Sequence, residues 1–446
     1  MLVAKKGSVV PMSSVVPMSS VVLSPSDAQR SRCEAYLANS SPTRLGRRLG
    51  RLTIEPSLAW LLAPLTVQTF LDKVWTATHY HVKRHCASYF DSMLHGPSAI
   101  EDLLELFRRE PSAVRLMRGD DKKSGSDSYL LVDGSLDLVG IRNDFADGFT
   151  IVVDGVERYV RAIASLAHSI EVELNFPIQV NAYITPPGSR GLVPHYDDHD
   201  VLILQIQGSK VWHLYNGVDI PPHQMQRRDK AVPTDGLPLP TDLCLEVGDV
   251  LYLPRGLVHA ADTDAEPSIH LTVGIHAPTA LTLAIGALHS LSFHDDRLNA
   301  QLPPRHLDDA DAYSTLAVLL RDAVRTVEDP SAVAKGLDAL ADVLIRRGRC
   351  PPVGQMSKAS GIDGRTLVTK YKPLYSRVKT VAGGVALQFA KLSINAGADH
   401  EGALLFISSS TEPFRVCDLP GLRAEQQIEL ARKLIVSGFL VRLSDD

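Results

Sequence analysis

Cysteine is scarce in this chain: five in 446 residues (Cys33, Cys86, Cys244, Cys350 and Cys417), odd in number and with no CxxC or CxH spacing. That excludes a disulfide framework and a zinc knuckle as organising devices, and fits a reducing, cytoplasmic setting. Long apolar runs are also missing; none reaches the roughly 18 to 20 residues that a membrane-spanning helix needs. No membrane partner is expected. A large charge excess is absent as well, the formal net charge being −5. Nothing global therefore draws the chain to nucleic acid or to an anionic membrane.

What is present is a chain with 45% hydrophobic and 22% charged residues, long enough for two to four domains by the usual ~100–200 residues each. Residues 1–50 open with SVVPMS at 8–13 and again at 14–19, after Lys5 and Lys6. A signal peptide has to be weighed there, but Pro11, Pro17 and many serines interrupt any apolar core. The segment reads as a disordered low-complexity leader, and Met12 and Met18 are alternative starts.

From about 56 to 110 apolar residues recur at three- and four-residue spacing, in LAWLLAPLTVQTFLDKVW and AIEDLLELF, which predicts helices. Residues 110–150 are polar and read as loop-rich, and 155–175 as one amphipathic helix. Then the period changes. Between 178 and 276 the runs IQVNAYIT, VLILQIQ, KVWHLY, DVLYLP and SIHLTVGIH alternate with turn signals such as PPGSRG, QGS, EVGD and PRG. Many short strands at close spacing predict an antiparallel sandwich or jelly roll. Helical periodicity returns in LTLAIGALHSL, AYSTLAVLLRDAVRTV and VAKGLDALADVLIRR, and Pro351 and Pro352 end it. In the last stretch a helix after Pro420 leads through Gly438 into a strand, the layout of a small winged helix.

His195 and Asp197 stand two apart, just before VLILQIQ. On a strand, alternate side chains share a face, so both would point into one cavity. An imidazole and a carboxylate there are two of the three ligands of a 2-His-1-carboxylate triad, which leaves iron(II) with open positions. Such pairs recur by chance, so the third ligand decides. GDVLYLPRGLVH, residues 248–259, reads Gly-x5-Pro-x-Gly-x2-His and sets His259 at a barrel edge. It resembles the second signature of the cupins, with Thr263 where asparagine is usual. In the first cupin signature the second histidine is replaced by Asp197 and the glutamate by Val201, so three ligands remain. Lys210, at the start of KVWHLY and 15 residues after His195, reads either as a solvent-facing strand lysine or, favoured by that position, as the cation that would pair with the distal carboxylate of a 2-oxoglutarate co-substrate.

NAYITPPGSRGLVPHYDDHDVLILQIQGSKVWHLY, with GDVLYLPRGLVHAADT and SIHLTVGIH, resembles the cupin-4 branch of the JmjC oxygenases, the ribosomal oxygenases. These hydroxylate a histidyl or arginyl side chain of a ribosomal protein. The resemblance covers roughly residues 55–446 and implies a mixed α+β fold: a double-stranded β-helix (cupin/JmjC jelly roll) with N-terminal helices, a helical dimerisation segment and a C-terminal winged helix. The boundaries expected are 1–50 leader, 51–278 catalytic, 279–350 dimerisation and 351–446 winged helix. It implies Fe(II), 2-oxoglutarate and O2 as cofactor and co-substrates. Iron falls to His195, Asp197 and His259, the distal carboxylate to Lys210, and pocket positions to Asn181, Tyr183 and Thr272. Where relatives often carry serine, this chain has Gly274, which removes a hydroxyl near the co-substrate.

Several histidines remain. His199, His213 and His223 read as surface or structural, and His270 as either a pocket residue or a satisfied core residue. Asp198 and Asp200 flank the iron carboxylate, where they are solvated acids or attract a basic substrate. Residues 355–446 carry 12 Lys/Arg against 9 Asp/Glu, an excess of 3, so sequence-specific DNA binding is not expected of the winged helix. The expected partners are a second copy of the chain and a protein substrate, possibly a ribosomal protein. The same barrel also suits a small molecule, a peptide natural product or a tRNA base, and lysine demethylation or a non-catalytic metal-binding scaffold stays open.

Overall fold

The computed structural model describes residues 22–23, 56–94, 99–219, 231–307, 312–328, 330–348, 360–371 and 373–443. Apart from Val22–Leu23, the leader expected over 1–50 lies outside the described residues, as does His223.

The strands of the first part are β1 (Val22–Leu23), β2 (Tyr80–Val82), β3 (Val114–Arg118), β4 (Asp121–Ser124), β5 (Thr150–Val153) and β6 (Ile178–Thr185). There follow β7 (Asp200–Gln207), β8 (Lys210–Asp219), β9 (Thr241–Leu245), β10 (Val250–Leu253), β11 (Leu257–Asp262) and β12 (Ser268–Ile275). Nine of them make one sheet in the order β1-β2-β10-β7-β12-β6-β5-β3-β4, and three make a second, β11-β8-β9. Pairing is antiparallel except between β1 and β2.

The near-continuous apolar run of β7 has a simple cause: both its faces are covered. Val201 and Ile203 join Leu251 and Leu253 of β10 in an apolar cluster with Trp212, Leu214, Leu245 and Leu257 of the small sheet. The two sheets therefore pack face to face. The alternate residues Leu202 and Leu204 belong to a second cluster with Leu58, Leu61, Phe70, Ile163 and Ile170. Those residues lie on the helices Leu58–Leu62, Val67–Lys73 and Arg161–Leu174, which cover the outer face of the large sheet. Each fully buried side chain of this size stabilises by about 1.5–3 kcal/mol, so period-two alternation between two cores fixes the register firmly. Glycine is required at one close approach in particular. Gly248 has φ +96°, and a Cβ there would stand 2.3 Å from the Cys86 carbonyl oxygen.

The stretch 110–150 departs from the loop-rich expectation. It holds β3, β4, the helix Leu138–Ala146 and the start of β5, which extend the large sheet beyond β6. Polar residues hid these strands because several are paired rather than solvated; Arg115 on β3 grips Asp154 at 2.9 and 3.1 Å.

After β12 come the helices Ala280–Leu291, Ala312–Arg325 and Pro330–Arg347. Arg347 reaches back to the Glu171 carboxylate and the Ile178 carbonyl, tying the last of them to β6. The C-terminal residues build a separate apolar cluster. It comprises β13 (Leu367–Lys370), β14 (Ser376–Val381), β15 (Gly384–Phe389), β16 (Leu392–Ala396), β17 (Phe414–Arg415) and β18 (Leu440–Arg442), with the helices Glu401–Ser409 and Ala424–Val436. Here the sheets are β17-β13-β18 and β14-β15-β16. No described helix is long and apolar enough to cross a membrane.

Candidate functional site

His195, Asp197 and His259 each bring a ligand atom to one spot, all within 4.8 Å of one another. The way they meet differs from the expectation of one strand carrying both His195 and Asp197. His195 makes isolated bridges to Ala231 and His259, and Asp197 lies in the turn before β7. Prolines 186, 187 and 194 punctuate the connection from β6, and a residue without an N–H cannot sustain a ladder. Asp197 is placed instead by its own backbone: its carbonyl accepts the Gly256 N–H at 2.9 Å. Gly256, at φ +86°, belongs to the turn that delivers His259 on β11.

Both imidazoles have one nitrogen engaged. His195 Nδ1 lies 2.8 Å from the Val193 carbonyl and His259 Nδ1 lies 2.9 Å from the Leu257 carbonyl. A carbonyl only accepts, so each Nδ1 is the donor, and Nε2 is the atom each ring can offer to a metal. The His259 Nε2 to Asp197 carboxylate distance is 3.8 Å. Two imidazoles and one carboxylate are the donor set of non-haem iron(II), with coordination positions left over. The residues present fit that ion.

The pocket beside the triad is lined by Tyr183, Thr272, Lys210, Trp212, His270 and Gly191, among others. Lys210 is 3% exposed, its ammonium donates to Thr185 Oγ1 at 3.0 Å, and no carboxylate among the described residues pairs with it. Burial lowers its pKa to about 7, only partly offset by the charge of Asp262. His270 stacks on Tyr183 with ring centres 4.8 Å apart. Burial, and then the Lys210 charge, push its pKa well down, so the ring is neutral. Among the described residues, His270 Nδ1 and Trp212 Nε1 have no hydrogen-bond partner, although both are buried. Orphaned polar atoms around a buried ammonium call for an anion with acceptors. A Cβ on Gly191 would stand 3.2 Å from Thr150 Oγ1 and 3.9 Å from Lys210 Nζ, so glycine keeps this end open. The dicarboxylate 2-oxoglutarate fits: one end toward the triad, the other toward Lys210.

Asn181 is not brought into that lining. It lies opposite Thr272 in the register, but its carboxamide oxygen accepts the Gly155 N–H at 3.0 Å and so secures the turn after β5. Tyr183 and Thr272 do reach the pocket. Thr263, at the position where asparagine is usual, staples the turn after β6, donating to the Pro186 carbonyl at 2.6 Å and accepting from the Ser189 N–H at 3.0 Å. Asp200 is not a solvated acid; it is 1% exposed, takes the Tyr252 hydroxyl at 2.7 Å, and burial raises its pKa. His213 is clamped between Asp242 at 2.7 Å and Asp262 at 3.0 Å, a structural role. Met117, Thr150 and Val152 line the pocket from β3 and β5 without any motif to announce them. They alternate along β3 and β5 with Leu116, Ile151 and Val153 of the main core, but VRLMR and TIVV carry no polar–apolar alternation that would have marked that face.

Residues 158–283 match the family described as a JmjC domain. Ribosomal oxygenase 2 of Rattus norvegicus is 29% identical over 287 residues, covering 60% of this chain and 59% of that protein. The bifunctional lysine-specific demethylase and histidyl-hydroxylase NO66 of Drosophila mojavensis is 30% identical over 230 residues, covering 50% of this chain and 25% of that protein. The chain thus matches a quarter to three-fifths of the length of these relatives. Among solved structures, the Escherichia coli ribosomal oxygenase YcfD aligns with a TM-score of 0.51 at 18% identity, over 85% of this chain and 98% of that one. YcfD in complex with cobalt and 2-oxoglutarate aligns with a TM-score of 0.52. At that identity the likeness carries the fold.

Proposed function

From the match of residues 158–283 to a JmjC domain, we propose that this chain is an Fe(II)- and 2-oxoglutarate-dependent oxygenase that hydroxylates a protein side chain, histidyl or arginyl, on a ribosomal protein. The observation that carries this reading is the placement, in one pocket, of a His195–Asp197–His259 cluster and a buried, carboxylate-free Lys210. Iron and 2-oxoglutarate, when bound, supply the activation of O2 for C–H hydroxylation, with succinate and carbon dioxide as co-products.

The protein's part is binding, orientation and the exclusion of water. His195 and His259 present Nε2 because their Nδ1 protons are committed to Val193 and Leu257. Lys210 holds the distal carboxylate, and its fall in pKa reverses once that negative charge is beside it. Thr185 holds the Lys210 ammonium in place, and Trp212 and His270 bring unpartnered ring nitrogens to the same pocket. Val201 and Ile203 give the pocket an apolar wall, backed by Leu251, that keeps bulk water out.

The exposed apolar side chains of the helices after the barrel support a homodimer. Leu281, Tyr313, Leu320, Val324, Val333 and Leu337 are each at least 45% exposed. The catalytic, dimerisation and winged-helix boundaries at 51–278, 279–350 and 351–446, and a cytoplasmic location, belong to the same proposal. Two measurements test it. Purified protein with Fe(II) and 2-oxoglutarate yields succinate, and a ribosomal protein gains the mass of one oxygen in cells that hold the gene but not in cells without it. An Asp197→Ala variant that matches wild type in both would sink the assignment in favour of a scaffold.

A further inference from the structure

Alternate residues of β12 and its extension, His270, Thr272, Gly274 and His276, follow one face of the strand outward. His270 and Thr272 line the pocket of the triad, and His276 lines a second cleft of about 490 Å³. The connection before β7 divides in the same way, with Asp197 in the first pocket and Asp198 and His199 in the second. Gly274 lies between the two. A Cβ there would stand 2.8 Å from His199 Nε2 and 2.9 Å from His199 Cδ2, closer than side-chain atoms approach. His199 stacks on His276 with ring centres 4.4 Å apart, and its Nδ1 lies 2.9 Å from the Asp198 carboxylate. A ring, a carboxylate and a bare backbone thus hold one imidazole in place.

We propose that His199 is a specificity-determining residue: it walls the reaction pocket from a cleft that seats the substrate polypeptide, in a position it occupies only because residue 274 has no side chain. This rests on the oxygenase reading. The cleft is of ligand size, and its surface is mixed. Asp198 and the two imidazoles offer a carboxylate and ring edges, while Pro278, Leu340 and Val343 offer apolar surface. That combination suits a cationic polypeptide segment, whose side-chain stems pack on the apolar wall while its charge meets Asp198. A hydroxyl at 274 would gain a polar contact but evict His199, so the glycine is a choice of occupant and not simply a lost hydrogen bond.

The probe is the set of ribosomal proteins from a strain lacking this gene, with the gain of one oxygen as readout. Binding of the modified protein's unhydroxylated form to metal-free enzyme, by biolayer interferometry, is a second readout that needs no turnover. His199→Ala is expected to raise the KM for the protein about tenfold, far more than any change in the KM for 2-oxoglutarate, and to weaken binding by a similar factor. Gly274→Ser is expected to act in the same direction, and the double variant to be no worse than His199→Ala alone, because both changes empty one seat. His199→Gln, retaining a polar group of similar reach, is expected to keep part of the affinity and guards against a folding defect in the alanine variant. A protein KM for His199→Ala within about twofold of wild type, or effects that multiply in the double variant, would overturn this inference alone. No hydroxylation and no succinate from wild type would overturn the oxygenase reading with it.

Discussion

His195 and His259 exchange both of their backbone hydrogen bonds, N to O at 3.0 Å in one direction and 2.8 Å in the other, and their rings lie 4.5 Å apart. Residues paired in this way project their side chains on the same side. A single bridge between β11 and the otherwise irregular segment around His195 therefore aims both imidazoles, and the Gly256 N–H to Asp197 carbonyl bond sets the carboxylate beside them. The backbone preorganises the cluster, so a metal held there would need little rearrangement of it.

The first prediction follows from that rigidity. Asp197→Ala leaves the two-histidine bridge intact but removes the anionic donor, so Co(II) affinity is expected to fall by about 100-fold or more and succinate production to vanish. Calorimetric titration with Co(II) checks the first part. Saturating Co(II) at 100 times its Kd should also stabilise wild type by about 2.7 kcal/mol, seen as a higher Tm, and fail to do so for the variant.

Lys210 gives a prediction with two opposite signs. An unpaired buried ammonium destabilises the free protein, so Lys210→Met is expected to raise the Tm without co-substrate. The same change deletes a charge-assisted bond to the distal carboxylate, so 2-oxoglutarate affinity should fall about tenfold to 100-fold. Differential scanning fluorimetry with and without 2-oxoglutarate reads both signs. A lysine turned toward solvent would show neither.

The depressed Lys210 pKa, about 7 instead of 10.5, also sets a pH dependence. Above pH 7 the free protein holds a neutral amine, which must take up a proton as the dianion binds. Affinity for 2-oxoglutarate is therefore expected to weaken as pH rises from about 7 toward the higher pKa of the bound state, by at most about tenfold per unit. Folding stability moves the other way. The unfolded lysine binds more protons than the folded one between pH 7 and 10.5, so this residue's contribution rises with pH across that window. Calorimetry in two buffers of different ionisation enthalpy at pH 8 should detect the proton uptake.

How far the sequence foretold this site depends on whether the chemistry was local. GDVLYLPRGLVH is one contiguous strand–turn–strand segment whose glycines and proline set the backbone, and it does deliver His259 to the cluster. The HxD pair also reaches the cluster, but through a bridge formed with a segment about 64 residues away, which no period-two count displays. Asn181 shows the converse: strand position predicts its face, yet the turn at Gly155 claims its carboxamide. Arg115 and Asp154 neutralise one another at the edge of β3, so a strand read as polar loop. Gly274, read as a missing hydroxyl, is a space that His199 fills.

Arg347 yields a stability prediction. Its guanidinium is a third exposed, but Glu171, which it contacts together with His168 and the Ile178 N–H, is 4% exposed. Burial works to raise the Glu171 pKa, and the His168 bond and the Arg347 charge outweigh it, leaving the carboxyl below its usual value. Arg347→Ala strands that carboxylate, and with screening of the exposed arginine the cost is expected to be about 1–3 kcal/mol in urea unfolding. The pair's contribution is present above the unfolded glutamate pKa and is lost as pH falls through the folded one, so the difference from wild type should shrink in acid.

The last prediction concerns the helices after the barrel. A monomer that exposed Leu320 at 67% and Leu337 at 55%, with Tyr313 and Val324 nearby in sequence, would leave an apolar surface of the kind that marks an interface. Light scattering at micromolar concentration is expected to report a dimer. Leu320→Glu with Leu337→Glu would bury two carboxylates at that contact, and the desolvation cost should release monomers. Both positions are solvent-facing within one chain, so the variant monomer ought to keep its far-ultraviolet circular dichroism. A wild-type mass of one chain would overturn the homodimer.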